Sequence, residues 1–400
     1  MKYNINPRNG DRLSVLGYGC MRFGGDHIAR SFAGGFDKKK AEELLVSAVE
    51  QGVNYFDTAY VYSGSEEILG STLQKHGLRE KVFLATKLPL MLCRKADDLD
   101  KFFEIQLKRL QTEYIDYYLL HMLTDMKTWN RLCEWGIREW IAKLKIEGRI
   151  RNIGFSFHGA QQEFLDLLDA YDWDFCQIQY NYSDENYQAG VKGLRAAAAK
   201  NLPVIIMEPL LGGKLAKNLP EEAVKRFKET RPELSPAAWG FRWLYNQPEV
   251  TVVLSGMNEP EQLEDNVRIA DTAGHGILTE EEMAAIANVK AVFERVYKIH
   301  CTGCHYCMPC PAGVDIPSCF AAYNSRFSIS KSQGLFQYTM STLMNDKPAY
   351  ASLCRKCGAC ERHCPQNIKI RKELEAVSRE FEGVPFKIMK KVVPLFMRKS

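Results

Sequence analysis

No run of about 18 apolar residues occurs in the 400-residue chain, which argues against a membrane-spanning helix. Residues 1–8 turn polar before any apolar core can form, so they do not read as a secretory signal. Neither sign of charge is in excess. The 53 Lys and Arg against 49 Asp and Glu leave +4, too little over this length to argue for nucleic-acid binding. No fixed-period repeat or low-complexity tract stands out. Also missing is a glycine-rich turn after an early strand, the mark of a doubly wound dinucleotide-binding sheet. A cytoplasmic globular protein without a transmembrane segment is the expectation, and 46% hydrophobic with 26% charged residues is ordinary for one.

What is present begins with an alternation of short apolar strands and amphipathic helices over residues 1–300. Strands are expected at 15–19, 53–57, 82–87, 115–121, 150–156, 175–181, 203–208 and 251–256. Helices are expected between them, at 39–51, 66–75, 98–111, 129–147, 161–168, 188–200, 236–245 and 260–269. Eight of each over a length near 250 residues points to a (β/α)₈ barrel, an α/β fold whose active site lies at the C-terminal strand ends. Thr279-Glu280-Glu281-Glu282 then opens a last helix with a capping-box pattern. We expect the barrel to occupy residues 1–297, a small α-rich cysteine module 298–380 and a basic, apolar tail 381–400.

Three strand ends carry chemistry. Asn54-Tyr55-Phe56-Asp57-Thr58-Ala59-Tyr60-Val61-Tyr62 resembles the Asp-Thr-Ala-x-x-Tyr signature of the aldo-keto reductases. Lys87 closes the next strand and His121 the one after, which completes the family's order of residue types. The resemblance implies a catalytic tetrad of Asp57, Tyr62, Lys87 and His121. A tyrosine with an unperturbed pKa of about 10 donates protons poorly at neutral pH unless a cation stabilises its phenolate. Lys87 would supply that cation, Asp57 would hold it, and His121 would place the substrate oxygen.

The same resemblance, which covers about residues 1–270, implies a nicotinamide site. Ser156 and Gln177 align with positions that hold the carboxamide, although the family's Ser-Asn pair is Ser156-Phe157 here. Met207 aligns with the residue under the nicotinamide ring. Pro209, Leu211 and Gly213 fall in the loop that covers the pyrophosphate. Ser255, Gln262 and Asn266 align with the adenosine end, where Glu259 and Glu261 would repel a 2′-phosphate. The cofactor is therefore expected to be NAD(P)H, with NADH preferred.

Thirteen cysteines are many for a chain with no secretory signal, and eight of them cluster. Cys301-x₂-Cys304-x₂-Cys307-x₂-Cys310-Pro311 is followed by Cys354-x₂-Cys357-x₂-Cys360-x₃-Cys364-Pro365. The second run matches the bacterial ferredoxin pattern, and the first is one residue shorter. A cysteine at every third residue presents three thiolates to a cube, whereas structural zinc needs two separated Cys-x₂-Cys knuckles. Two [4Fe–4S] clusters are expected. The ferredoxin resemblance implies a ligand exchange, with Cys364 joining the first triplet and Cys310 the second. Cys319 reads as a spare buried thiol. Between the runs, Phe336, Tyr338, Met340, Leu343 and Met344 are available to pack, and Pro394 is expected to interrupt any helix in the tail.

These parts imply an oxidoreductase that moves hydride between NAD(P)H and a small carbonyl or alcohol, with clusters that carry electrons or cap the structure. Because nicotinamide exchanges electron pairs and a cluster single electrons, a flavoprotein or ferredoxin partner is a further expectation. Two alternatives stand beside it. One is a ferredoxin-like carrier whose barrel is a scaffold, and the other a regulatory nicotinamide sensor.

Overall fold

A computed structural model of the chain describes residues 1–23, 37–217, 219–343 and 347–397, with side chains as far as residue 390. Met344, Arg398 and Lys399 lie outside the described residues. The described residues form two compact units, Met1–Leu211 with Leu234–Glu280, and Gly212–Glu233 with Glu281–Ser400.

The first unit opens with an antiparallel hairpin of β1 (Tyr3–Ile5) and β2 (Arg12–Ser14). Eight parallel strands follow: β3 (Leu16–Gly19), β4 (Tyr55–Asp57), β5 (Phe83–Leu88), β6 (Ile115–Leu120), β7 (Ile150–Phe157), β8 (Phe175–Gln179), β9 (Val204–Met207) and β10 (Val250–Ser255). They pair in chain order and close with β10 against β3, the expected barrel. The helices of this unit are α1 (Lys38–Glu50), α2 (Ser65–Lys75), α3 (Asp97–Leu110), α4 (Met126–Glu134), α5 (Ile137–Ile146), α6 (Gln161–Ala170) and α7 (Gly190–Ala199). After α8 (Glu221–Thr230) of the second unit come α9 (Pro236–Tyr245) and α10 (Pro260–Asp271). Side-chain caps start several of them: Asp37, Asp125 and Ser235 each accept an N–H from three residues on. The single helix expected over 129–147 is two, because Gly136 takes a left-handed conformation (φ 76°) between α4 and α5.

Strand residues two apart share a face, and this period stacks the barrel interior in layers. Tyr55, Ala85, Tyr117, Phe175, Ile205 and Val252 fill it, with Tyr117 edge-on to Tyr55 at 5.3 Å and to Phe175 at 5.0 Å. The hairpin contributes Leu13 to this core, and Tyr117 donates its hydroxyl proton to Asp11 at 2.6 Å. Two residues further along their strands stand Asp57, Lys87 and Gln177, all buried. The apolar interior thus ends in a polar floor.

The second unit holds α8, α11 (Glu280–Val296), α12 (Ile316–Ser328), α13 (Lys331–Leu343), α14 (Ala359–Arg362), α15 (Ile370–Phe381) and α16 (Val384–Met397). Its core joins Phe320, Tyr338, Val377 and Phe381, and Tyr338 stacks on Phe381 at 4.8 Å. Cys319 is buried in that core, as are Tyr338 and Leu343, but Phe336 and Met340 are exposed. Helix α16 runs through Pro394 rather than stopping there. The proline sits in the last turn of the helix, which continues past it without the one bond that an N–H at 394 would have given to the carbonyl of residue 390. Among the described residues, no helix is long and apolar enough to cross a membrane.

Candidate active site and cysteine module

The strand-end residues converge. Lys87 Nζ lies 2.5 Å from Asp57 Oδ1 and donates to the Thr58 carbonyl at 2.8 Å. Asp57 Oδ2 accepts from Gln177 Nε2 at 2.9 Å. The ammonium stands 5.4 Å from the centre of the Tyr62 ring, and that ring meets His121 edge-on at 6.1 Å. Tyr62 is half-buried. Tyr60 turns the other way, packing on Phe102 at 5.0 Å under the Arg109 guanidinium. Of the two tyrosines in the signature, only Tyr62 shares a site with Lys87.

The electrostatics follow from this arrangement. Burial first, then the Lys87 charge and His158, hold His121 well below its ordinary pKa. His158 is half-buried and pushed down to about 4, by burial first and against a 3.2 Å hydrogen bond with Gln188. Both imidazoles are therefore neutral at pH 7. The Cys20 thiol is also within reach of the ion pair, and burial, reinforced by Asp57, keeps it well above the usual range. Behind Lys87 a buried carboxylate, Glu66, accepts from Thr86 at 2.7 Å and Gln106 at 2.8 Å. Gln106 also donates to the Lys87 carbonyl at 3.1 Å, which fixes the backbone that carries the ammonium.

His158, Glu66 and Cys20 were missing from the sequence-based site. His158 directly follows the expected Ser156-Phe157 pair, and that adjacency was the available signal. Phe157 cannot replace the asparagine. It alternates with inward-facing Ser156 on β7 and packs on Phe164 at 5.0 Å. Ser156 Oγ accepts the Met122 N–H at 2.9 Å and so also supports the loop after β6.

The remaining cofactor positions divide. Met207 is half-buried at the end of β9, packed on the barrel interior. After it, Glu208 (φ 54°) and Leu211 (φ 48°) are left-handed, an uncommon conformation for such residues that recurs at ligand-binding loops. Pro209 and Leu211 belong to the barrel unit, whereas Gly213 falls in the second unit. Gly212, at φ 68°, lies so close to the Thr302 carbonyl that a β-carbon would stand 2.3 Å from it. At the other end, Asn266 donates to Ser255 at 2.9 Å, and Gln262 accepts the Asn258 N–H at 3.0 Å. These bonds tie the end of β10 and the loop after it to α10. Glu259 is paired with Lys40 at 2.5 Å, which offsets part of its charge.

In the second unit the two cysteine loops repeat one another. Cys301 Sγ accepts the Gly303 N–H and Cys354 Sγ the Lys356 N–H, both at 3.4 Å. Left-handed residues recur at matching offsets: Gly303 and Lys356, His305 and Gly358, Gly313 and Asn367. Each Cys-Pro leads to a helix that starts six residues past its cysteine, α12 at Ile316 and α15 at Ile370. The thiols also associate across the loops. Burial, then the charges of Cys301, Cys304 and Cys364, raise the Cys307 pKa. Cys360 is pushed up to about 11 by burial first, with Glu361, Cys354 and Cys310 adding.

Cys301, Cys304, Cys307 and Cys364 line one pocket with Ile316 and Phe320, four thiols in an apolar wall. That donor set fits a cube with one thiolate per iron corner. Among the described residues no three Cys, His, Asp or Glu are close enough to share a single ion, a spacing that such a cube does not require.

Residues 15–291 match the model of the aldo/keto reductase family. The chain belongs to that family. Residues 300–368 of this aldo/keto reductase match a 4Fe-4S dicluster domain. Aldo-keto reductase YhdN of Bacillus subtilis is 29% identical over 302 residues, which span 66% of this chain and 87% of the relative. The NADH-specific methylglyoxal reductase of Escherichia coli is 25% identical over 304 residues, 64% of this chain and 89% of its own. Among solved structures, the holo form of an aldo-keto reductase from Bacillus halodurans superposes with a TM-score of 0.57 at 24% identity, covering 72% of this chain and 96% of that one. An aldo/keto reductase from Klebsiella pneumoniae in complex with NADP and acetate gives the same TM-score, identity and coverage.

Proposed function

We propose that this aldo/keto reductase transfers hydride between NAD(P)H and a small carbonyl or alcohol, with Tyr62 as the proton donor and acceptor. The observation that carries the reading is the convergence of Lys87, bonded to Asp57 at 2.5 Å, on the Tyr62 ring beside His121. When bound, the nicotinamide supplies the hydride, and the chain supplies everything else. Neutral His121 orients the carbonyl oxygen by hydrogen bonding. As that oxygen gains charge, the Tyr62 O–H gives it a proton, and the Lys87 ammonium stabilises the phenolate left behind. Asp57 holds the ammonium in place, and Gln177 holds Asp57. Carbonyl, NAD(P)H and one proton give alcohol and NAD(P)⁺. The reverse direction uses the same groups.

Ser156, Gln177, Met207, Pro209, Leu211, Ser255, Gln262 and Asn266 are proposed to bind the cofactor, with Gly213 extending the loop after β9. NADH is the proposed preference, on the acidity of Glu259 and Glu261. The eight clustered cysteines are proposed to hold two [4Fe–4S] clusters, Cys364 serving the first triplet and Cys310 the second, in a module of residues 298–380 between the barrel (1–297) and the tail (381–400). The test is turnover by anaerobically purified protein with NADH or NADPH over a panel of aldehydes and ketones that includes methylglyoxal. Tyr62→Phe should lower kcat by about 10²–10⁴-fold while leaving cofactor affinity in place, the range set by loss of a general acid. Unchanged turnover in Tyr62→Phe would refute the assignment.

A further inference from the structure

The duplicated cysteine loops offer an internal control, since one backbone design appears twice with different surfaces. Residues 301–318 contain no lysine or arginine, and residues 354–372 contain six. These six are Arg355, Lys356, Arg362, Lys369, Arg371 and Lys372, and all are exposed. Cys357 is exposed too, whereas Cys301, Cys304 and Cys307 are half-buried. The cations are drawn together by the fold. Arg371, in the first turn of α15, binds Glu361 of α14 at 2.7 Å and lies 3.7 Å from where a β-carbon on Gly358 would stand. Lys356 reaches Glu375 at 2.6 Å. Lys369 is near enough to Glu361 to help lower its pKa, and among the described residues no ion pair within 4 Å is seen for Arg355, Arg362 or Lys372. Ligation requires none of these charges, because the first loop makes the same turns without them.

We propose that the second cysteine loop and its cationic rim are the docking surface for an acidic one-electron carrier protein of the ferredoxin class. The proposal rests on the reading that the cysteines hold [4Fe–4S] clusters. The reduced carrier gives up one electron and the module takes up one, with no bond made or broken. Charge complementarity brings the carrier to the loop where a ligand thiol is open to solvent, which is the short path for a single electron. A uniform cationic surface would serve steering alone. Restriction to one of two equivalent loops selects a side.

The test uses the full chain, purified anaerobically, with a plant-type [2Fe–2S] ferredoxin of strongly acidic pI as the probe. Binding of the oxidised probe is measured by calorimetry, and bleaching of the module by the reduced probe is followed by stopped flow, both at rising salt. Affinity and second-order rate should fall together with salt. Arg355→Glu/Lys369→Glu/Lys372→Glu should lower both by about 10–10²-fold at low salt, the scale of electrostatic steering, with iron and sulfide content unchanged. Binding and rate indifferent to salt and to this charge reversal would overturn the docking surface. Binding to vesicles rich in phosphatidylserine, with no ferredoxin binding, would overturn it in favour of a membrane. Protein lacking iron and sulfide would instead refute the cluster reading itself.

Discussion

Replacing both members of the Asp57–Lys87 pair should disturb the barrel less than replacing either one. Both side chains are almost fully buried, 6% and 2% exposed, and their 2.5 Å contact is supplemented by Gln177 on one side and the Thr58 carbonyl on the other. Asp57→Asn strands the ammonium, and Lys87→Met strands the carboxylate. Breaking one side of such a pair costs roughly 3–5 kcal/mol. The double variant buries two uncharged side chains instead and should recover several kcal/mol of the summed loss. Urea titration followed by tryptophan fluorescence isolates the relevant unit, because all six tryptophans (129, 135, 140, 173, 239 and 243) lie within the barrel. The double variant should fold and still not turn over, since the group that stabilises the Tyr62 phenolate is gone. Single losses below about 1 kcal/mol, or additivity within about 0.5 kcal/mol, would show that the two groups are not a buried, mutually dependent unit.

The other predictions concern pH, the clusters and the cofactor. His121 and His158 are held below their unfolded values, so below about pH 6.5 the unfolded chain binds protons that the folded one does not. Barrel stability should therefore rise with pH between about 4 and 6.5, by at most about 1.4 kcal/mol per pH unit per imidazole, and a flat profile across that window would contradict their burial as neutral rings. Cys364→Ala should remove the cluster of the first triplet and about half of the iron, seen by iron assay and by the reduced-state paramagnetic resonance spectrum. Full iron retention would mean that Cys364 is not a cluster ligand, and loss of the second triplet's cluster in place of the first would mean that the loops do not exchange ligands. The ratio of kcat/KM for NADH to that for NADPH should exceed one, and Glu261→Lys should reverse it. A wild-type ratio below one would show that the acidic residues near α10 do not face the 2′ position.

Much of this was legible in the sequence because barrel chemistry is written at strand ends. A strand buried on both faces must be apolar, so a charged residue closing it marks the place where the chain leaves the core. Asp57, Lys87 and His121 each close or directly follow such a run, and register does the rest. Asp57 stands opposite Ala85 and Lys87 opposite Leu119, so the two side chains rise from adjacent strands at neighbouring heights. The cysteine spacing was equally direct, because ligands three residues apart belong to one loop. The hairpin was hidden by length, since three-residue strands leave no alternation to read.

The parts that stayed hidden are those set by which way a side chain turns. Glu66 reads as one of two acids in the first turn of a helix, an ordinary exposed position. The fold instead buries it against Thr86 and Gln106, and burial raises its pKa despite those bonds. Ser156-Phe157 shows the same difficulty from the other side. By position Phe157 replaces the polar neighbour that would help hold a carboxamide, but a strand sends successive residues to opposite faces. No side chain at 157 can therefore enter the barrel while β7 remains extended. The first residue beyond the strand escapes that alternation. His158 is that residue, and it stands within electrostatic reach of Lys87 and His121. A polar group that the strand's alternation turns away from the site can thus be supplied just past the strand's end, where the backbone is free to re-aim a side chain.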